Sequence, residues 1–320
     1  MDGVYHLISR TSCGQHLFGD EEKEMFVRMM RKQALFCGVD VLAYCMMSNH
    51  FHILVRVRHE PEIPDTELLR RHRILYRGER LGPRAIHPEK LEKLFDDGGE
   101  EAMEWRQRLC HRMGDVSVFM RELKQRFGIW YNHRHDNRGS IWSDRFKSLI
   151  VEPSREAMST LAAYIDLNPV RAKLVEDPAE YRFCSYGAAM GGQKEARAGY
   201  TWIYFGKPWK TAIRSYRICL YGKGYRSKGS LGKDRGRLSE EKVESVLAGE
   251  GKLEMTEVLR CRVRYFSDGM ALGSAAYLKE LQECHRDWFG ANRKTCAARM
   301  RGADWGELRV MRNLQLRPFG

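Results

Sequence analysis

Residues 48–57, SNHFHILVRV, form an apolar run that carries two histidines one residue apart. A strand turns successive side chains to opposite faces, so His50, His52 and Leu54 share one face and Phe51, Ile53 and Val55 the other. The Phe51 face must pack against helices as the core. The opposite face then carries two imidazoles whose Cα atoms lie roughly 6.5 Å apart. Burying two polar rings without partners is costly. Either the pair is satisfied within the fold, or it converges on a metal ion.

The surrounding order of elements narrows the fold. VYHLISR (4–10) reads as a strand. DEEKEMFVRMMRKQALFCG (20–38) reads as a helix, with Asp20 as its cap, acids in its first turn and Gly38 as its stop. VDVLAYCMMSNHFHILVRV (39–57) offers two strands joined near MMSN. Strand, helix, strand, strand begins an α+β sheet with helices on one face. Residues 58–114 are charged and punctuated by Pro61, Pro64, Pro83 and Pro88; they read as an inserted helical segment with exposed helices in DTELLRRHRILYRGERL and EEAMEWRQRLCHRM. DVSVFMRELKQRFGIWYNHRH (115–135) is amphipathic: Asp115 caps it, and Val116, Phe119, Met120, Leu123, Phe127, Trp130 and Tyr131 recur at helical spacing. RGSIWSDRFKSLIVE (138–152) reads as a turn and a strand.

The domain reading is therefore 1–190 as one domain with a helical insertion at about 58–114, a polar, Gly-rich linker at 191–200, and a basic C-terminal region at 201–320. Within 201–238, ten Lys or Arg face a single acid, Asp234, and seven aromatics are interleaved. Cations that track phosphates and rings that stack on bases would suit single-stranded DNA. A solvated basic linker reads equally well. Residues 239–316 read as mostly helical.

Lys and Arg number 55 against 42 Asp and Glu, a formal charge of +13. That points toward an anionic partner, nucleic acid above all, and a surface made basic only for solubility reads equally well from composition. The nine cysteines are odd in number and include no C-x-x-C pair, which argues against a disulfide framework and a zinc ribbon. No secretory signal opens MDGVYHLISR, and no apolar run approaches the roughly 18 residues that span a bilayer. The expectation is a cytoplasmic, nucleoid-associated protein with no membrane partner.

Two histidines are too few for a stable metal site. PSREAMSTLAAYIDLNPVRAKLV (153–175) is a second strong helix, capped by Ser154 and ended or bent near Leu167 or Asn168 by Pro169. Met158, Leu161, Ala162 and Ile165 form its packed stripe, and Tyr164 and Asn168 are i, i+4 neighbours on one flank. If this helix covers the histidine face, Asn168 can offer a carbonyl oxygen to the metal, with Tyr164 one turn away. A phenol beside a cation is more acidic and a better nucleophile. The bland reading makes Tyr164 an ordinary tyrosine at the core edge. Tyr131 is the best rival but lies on its own apolar stripe; Tyr5, Tyr44 and Tyr181 lack a polar partner at useful spacing.

These residues together resemble a known family. MSNHFHILV is similar to the His-hydrophobic-His (HUH) motif of single-tyrosine transposases, and the nearest pattern is that of the REP-associated tyrosine transposases. FMRELKQRFGIWYNHRHDNRGSIWSDRFKS resembles the stretch before that family's last strand, and YIDLNPVRAKLVEDPAEYRFCSY its Y-I-x-x-N-P-V-R-A block. The resemblance runs from residue 4 to about 187; RYFSDGMALGS (264–274) resembles a feature of longer members. It implies a ferredoxin-like antiparallel sheet, His50 and His52 as metal ligands, Asn168 as the third, Tyr164 as nucleophile, and Mg²⁺ or Mn²⁺ as cofactor. The implied reaction is cleavage and rejoining of single-stranded, hairpin-associated DNA through a 5′-phosphotyrosine. The insertion 58–114 and the long C-terminal region depart from compact members, which include swapped dimers and monomers, so a homodimer stays open.

Two other readings compete. One is a DNA-binding regulator that kept the fold without catalysis. The other is a hydrolytic zinc enzyme, which needs a third His, Cys or carboxylate ligand; His6 and His16 are its candidates. Ser-based catalysis finds no G-x-S-x-G elbow.

Overall fold

The computed structural model describes residues 3–58, 60, 62–77, 85–221, 258–260, 263–286, 297–301 and 303–312. The chain begins with β1 (Gly3–Arg10), α1 (Asp20–Cys37), β2 (Val39–Met46) and β3 (His50–Val57). Three helices follow: α2 (Asp65–Tyr76), α3 (Pro88–Asp97) and α4 (Glu100–Cys110). Then α5 (Val116–Arg134) leads into β4 (Lys147–Val151). Neighbouring strands in the order β2-β3-β1-β4 are all antiparallel, the ferredoxin-like arrangement of a βαββαβ unit.

Local chemistry sets the element ends. The Glu22 carboxylate accepts from the Gly19 N–H at 2.8 Å, so the cap of α1 is Gly19 and Asp20 is the first helical residue. Gly38 ends α1 at φ 66°, a left-handed conformation where a Cβ would also strike the Arg71 guanidinium. Asp115 caps α5 by accepting from the N–H groups of Ser117 and Val118 at 2.6 and 2.9 Å. The core between the sheet and these two helices is aromatic. Phe51 of β3 packs on Phe26 of α1 with centroids 4.5 Å apart, and Phe127 of α5 and Trp142 close around them. Each such ring contributes about 1.5–3 kcal/mol by leaving water.

The insertion is less exposed than expected. Leu68 and Leu75 of α2, Leu91 of α3 and Leu109 of α4 are fully buried, because α2 packs on α1 and carries α3 and α4 with it. The buried Arg71 holds α2 in place through Glu60 and Glu67 at 2.8 and 2.6 Å.

The other sheet face is covered by α6 (Arg155–Asp166), which crosses β2 and β3. Ser154 caps it from its side chain, and the backbone breaks at Leu167 before α7 (Asn168–Arg171), where Pro169 occupies the first turn. Next come α8 (Ser185–Met190), α9 (Lys194–Ile203) and α10 (Trp209–Tyr221). The linker expected at 191–200 is corrected by α9. Its Gly199 approaches β2 so closely that a Cβ there would lie 2.3 Å from the Leu42 carbonyl, and Tyr200 is fully buried. Glycine read as a sign of a flexible connection is here a sign of close packing.

The C-terminal region adds three strands, among the described residues, to the helices expected there. Beyond α11 (Tyr265–Asp268), β5 (Gly269–Gly273) pairs parallel to β4; α12 (Ala275–Cys284), β6 (Ala298–Arg299) and β7 (Arg309–Arg312) complete it. Among the described residues the sheet has seven strands, in the order β2-β3-β1-β4-β5-β7-β6, and is mixed rather than wholly antiparallel. Strands of five residues or fewer with glycine at both ends, as in GMALG, show no period-two pattern. Residues 222–257, which hold most of the basic stretch and the start of the region read as helical, lie outside the described residues. In the described part, Tyr204 and Tyr216 are buried, so these rings are core and not a platform for bases.

Candidate active site

The register of β1 on β3 places Arg10 opposite His50, Ile8 opposite His52 and His6 opposite Leu54. All six side chains therefore share the face beneath α6. The centroids of His50 and His52 are 5.3 Å apart with planes at 85°. Tyr164 of α6 meets the edge of His52, with centroids 5.9 Å apart at 86°. Asn168, the first residue of α7, turns its amide nitrogen back to the carbonyls of Tyr164 and Ile165 at 3.3 and 2.9 Å. Both amide hydrogens are thus engaged, and Oδ1 is the end left to accept. The structure brings His50, His52 and Tyr164 together, with Asn168 one turn past Tyr164 and bonded to its carbonyl.

Each imidazole is oriented from behind. Asn49 donates to the Gly14 carbonyl at 3.0 Å, which fixes its Oδ1 toward Nδ1 of His50 at 2.6 Å. An amide oxygen only accepts, so His50 carries a proton on Nδ1. His52 stacks on His6 with centroids 5.1 Å apart, and Nδ1 of His52 lies 2.9 Å from Nε2 of His6. Burial holds the His6 pKa down to about 3, so this ring is neutral. Burial likewise drives His52 well below the usual imidazole range, helped by His6, His50, Arg171 and Arg10. Two imidazoles, the His52 ring held neutral by burial, and one amide oxygen are a donor set that fits a divalent ion. Among the described residues, no group of three or more His, Cys, Asp or Glu side chains could hold a metal. His6 faces His52 and does not stand beside it as a further ligand, and His16 lies exposed in the loop after β1, so neither zinc candidate joins the pair.

Tyr164 is held on all sides. Its ring packs on Phe266 at 5.0 Å, and the Arg171 guanidinium lies 4.1 Å from its centroid. Arg171 also donates to the carbonyls of Tyr164 and Leu259 at 2.7 and 2.6 Å. Two residues past Tyr164, the fully buried Asp166 accepts from Ser185 Oγ, the Tyr186 N–H and the Tyr200 hydroxyl at 2.9, 3.1 and 2.6 Å, and from the Tyr216 hydroxyl. Burial pushes its carboxyl up to about 6, and these donors pull it back. This network seats α6 on α8, α9 and α10.

Sequence reasoning passed over Asn49, Arg171 and Phe266 and left His6 only as a zinc candidate. Asn49 sits inside the motif and is the signal that was present. Arg171 likewise sits inside a quoted block, seven residues past Tyr164; His6 and Phe266 depend on strand register and on a long chain return, which no local pattern encodes. Tyr131 packs against Phe127 and His135, as its stripe implied.

Among the described residues, no helix is long and apolar enough to cross a membrane. No curated protein matches the sequence. A solved structure described as a REP-associated tyrosine transposase bound to a REP hairpin is similar at 13% identity, covering 59% of this chain and 80% of that chain with a TM-score of 0.37. The family model described as IS200-like transposase matches residues 2–66. That match takes in β1, α1, β2 and β3 with both histidines of the motif, so this first part of the chain is similar to IS200-like transposases.

Proposed function

We propose that the protein is a metal-dependent transposase that cleaves and rejoins single-stranded, hairpin-associated DNA through Tyr164, in the manner of REP-associated tyrosine transposases, with residues 1–190 carrying the chemistry. His50, His52 and Asn168 hold Mg²⁺ or Mn²⁺. When bound, the ion neutralises charge on the non-bridging oxygens of the scissile phosphate. The Tyr164 oxygen attacks phosphorus in line as its proton passes to solvent. The bond from phosphorus to the 3′ oxygen breaks, and that oxygen takes up a proton. A 5′-phosphotyrosine and a free 3′-hydroxyl result. Because the covalent link retains the ester, attack by another 3′-hydroxyl rejoins DNA without ATP. The observation that carries this reading is the edge-on contact of His52 and Tyr164, with centroids 5.9 Å apart, beside His50 on the same strand.

A second reading, a DNA-binding regulator without turnover, is favoured by one fact: Tyr164 is only 3% exposed. The test separates them. The full chain is incubated with labelled single-stranded hairpins and Mn²⁺, then resolved under denaturing conditions. A covalent adduct that disappears in Tyr164→Phe supports the transposase. An adduct that persists in Tyr164→Phe removes the nucleophile assignment. Hairpin binding with no adduct in wild type supports the regulator.

A further inference from the structure

His6 and His52 stand on neighbouring strands as diagonal partners, since Leu54 is the residue opposite His6 and Ile8 the one opposite His52. Their rings are nearly parallel, at 20°, and joined through Nε2 of His6 and Nδ1 of His52 at 2.9 Å. At its other end, Nδ1 of His6 lies 2.9 Å from the backbone carbonyl of Phe266, in α11. A carbonyl oxygen only accepts. The His6 proton therefore sits on Nδ1, and Nε2 of His6 presents a lone pair. The proton between the rings then belongs to Nδ1 of His52. Nε2 of His52 is left unprotonated. One backbone carbonyl, from a segment more than 200 residues downstream, thus sets the polarity of the whole chain of bonds. His6 is fully buried and His52 nearly so, which leaves no room for solvent to take over either role.

We propose that His6 is a positioning residue: bridging the Phe266 carbonyl and His52, it locks His52 in the tautomer whose Nε2 can ligate a divalent cation. This rests on the reading of His50, His52 and Asn168 as a cation site. It also makes the C-terminal strand-forming segment a structural part of that site. The Phe266 carbonyl holds the ligand's orienting partner while the Phe266 ring packs on Tyr164 at 5.0 Å. Partners of this kind fix ring orientation and raise ligand basicity, and losing one typically weakens metal binding by about 10–100-fold.

The test uses the full chain labelled with ¹⁵N-histidine. Long-range ¹H–¹⁵N correlation in the metal-free protein identifies the protonated nitrogen of each ring, and Mn²⁺ affinity is read by electron paramagnetic resonance. In wild type, His52 is expected to be protonated on Nδ1. In His6→Leu, that single tautomer should be lost and Mn²⁺ affinity should fall by about 10–100-fold. His6→Gln keeps a donor for the Phe266 carbonyl and an acceptor for His52, and should restore both readouts toward wild type. A wild-type His52 protonated on Nε2 overturns the proposal directly, even if His6→Leu fails to fold. Equal Mn²⁺ affinity and an unchanged tautomer in all three proteins also overturn it. Failure of the underlying reading looks different: wild type and His50→Ala would both bind no Mn²⁺ while His52 kept its Nδ1 proton, and the proposal would fall through its premise.

Discussion

Replacing Asp166 by alanine is the sharpest stability test of how the Tyr164 helix is held. The carboxylate is fully buried and satisfies four donors. Two have somewhere else to go. The Ser185 hydroxyl also lies 3.3 Å from the Tyr44 carbonyl, and the Tyr200 hydroxyl lies 3.2 Å from Ser185 Oγ. The Tyr216 hydroxyl and the Tyr186 N–H, at the first turn of α8, rely on Asp166. Leaving a buried donor unsatisfied costs about 1–3 kcal/mol, so two such donors predict a loss of about 2–6 kcal/mol. Against a usual total of about 5–15 kcal/mol, that is a large share. Urea unfolding of the full chain, followed by tryptophan fluorescence and circular dichroism, measures it. Tyr216→Phe is the control. It removes one donor but leaves the carboxylate three, so it should cost only about 0.5–1.5 kcal/mol. If Asp166→Ala stays within about 1 kcal/mol of wild type, or if Tyr216→Phe costs as much as Asp166→Ala, the network does not seat α6 as argued.

The same carboxyl predicts a pH dependence. Its folded pKa of about 6 lies above its ordinary value of 3.8, so its contribution to stability is complete below about pH 4 and is lost as pH rises through 6, a swing of about 3 kcal/mol; Asp166→Asn should abolish that swing, and an unchanged pH profile would refute it. Gly199→Ala should lower stability by about 1–3 kcal/mol or more, because the new Cβ would meet the Leu42 carbonyl at 2.3 Å, and a neutral result in thermal unfolding would contradict the packing of α9 on β2. Chelation by EDTA is expected to abolish the phosphotyrosine adduct and added Mn²⁺ to restore it; an adduct that forms in EDTA counts against the metal requirement. Cys13 and Cys284 are exposed and should react with a maleimide within the time that Cys45 and Cys184, buried and with thiols pushed well above their usual range, stay unmodified; mass spectrometry of the peptides reads this directly.

The ferredoxin-like order was legible because its signals are local. The apolar run of HFHILVRV, the acid-rich start of α1 and the Asp115 cap each act within a few residues. That Tyr164 and Asn168 are neighbours was legible for the same reason, as an i, i+4 pair beside an apolar stripe. Gly199 misled because close approach and flexible linkage both select glycine, and only the Leu42 backbone distinguishes them. The aromatics after residue 200 misled because a ring that stacks on a base and a ring that fills a core look alike until burial is known; Tyr200 and Tyr216 turn out to satisfy Asp166. His6 was visible only as a histidine. Its meaning comes from the Phe266 carbonyl, and backbone groups leave no trace in composition.

The parallel pairing of β4 with β5 has a temporal consequence. Ile150 and Val151 wait for Ala271 and Leu272, about 120 residues further on, which a ribosome adding about 5–20 residues per second supplies roughly 6–24 s later. Throughout that interval the nascent protein displays an unpaired strand rim at β4, the kind of rim to which other chains adhere. Late arrival of the tail therefore makes this stage of synthesis the moment when a chaperone matters most, and slow translation through residues 152–268 the condition that most endangers the yield.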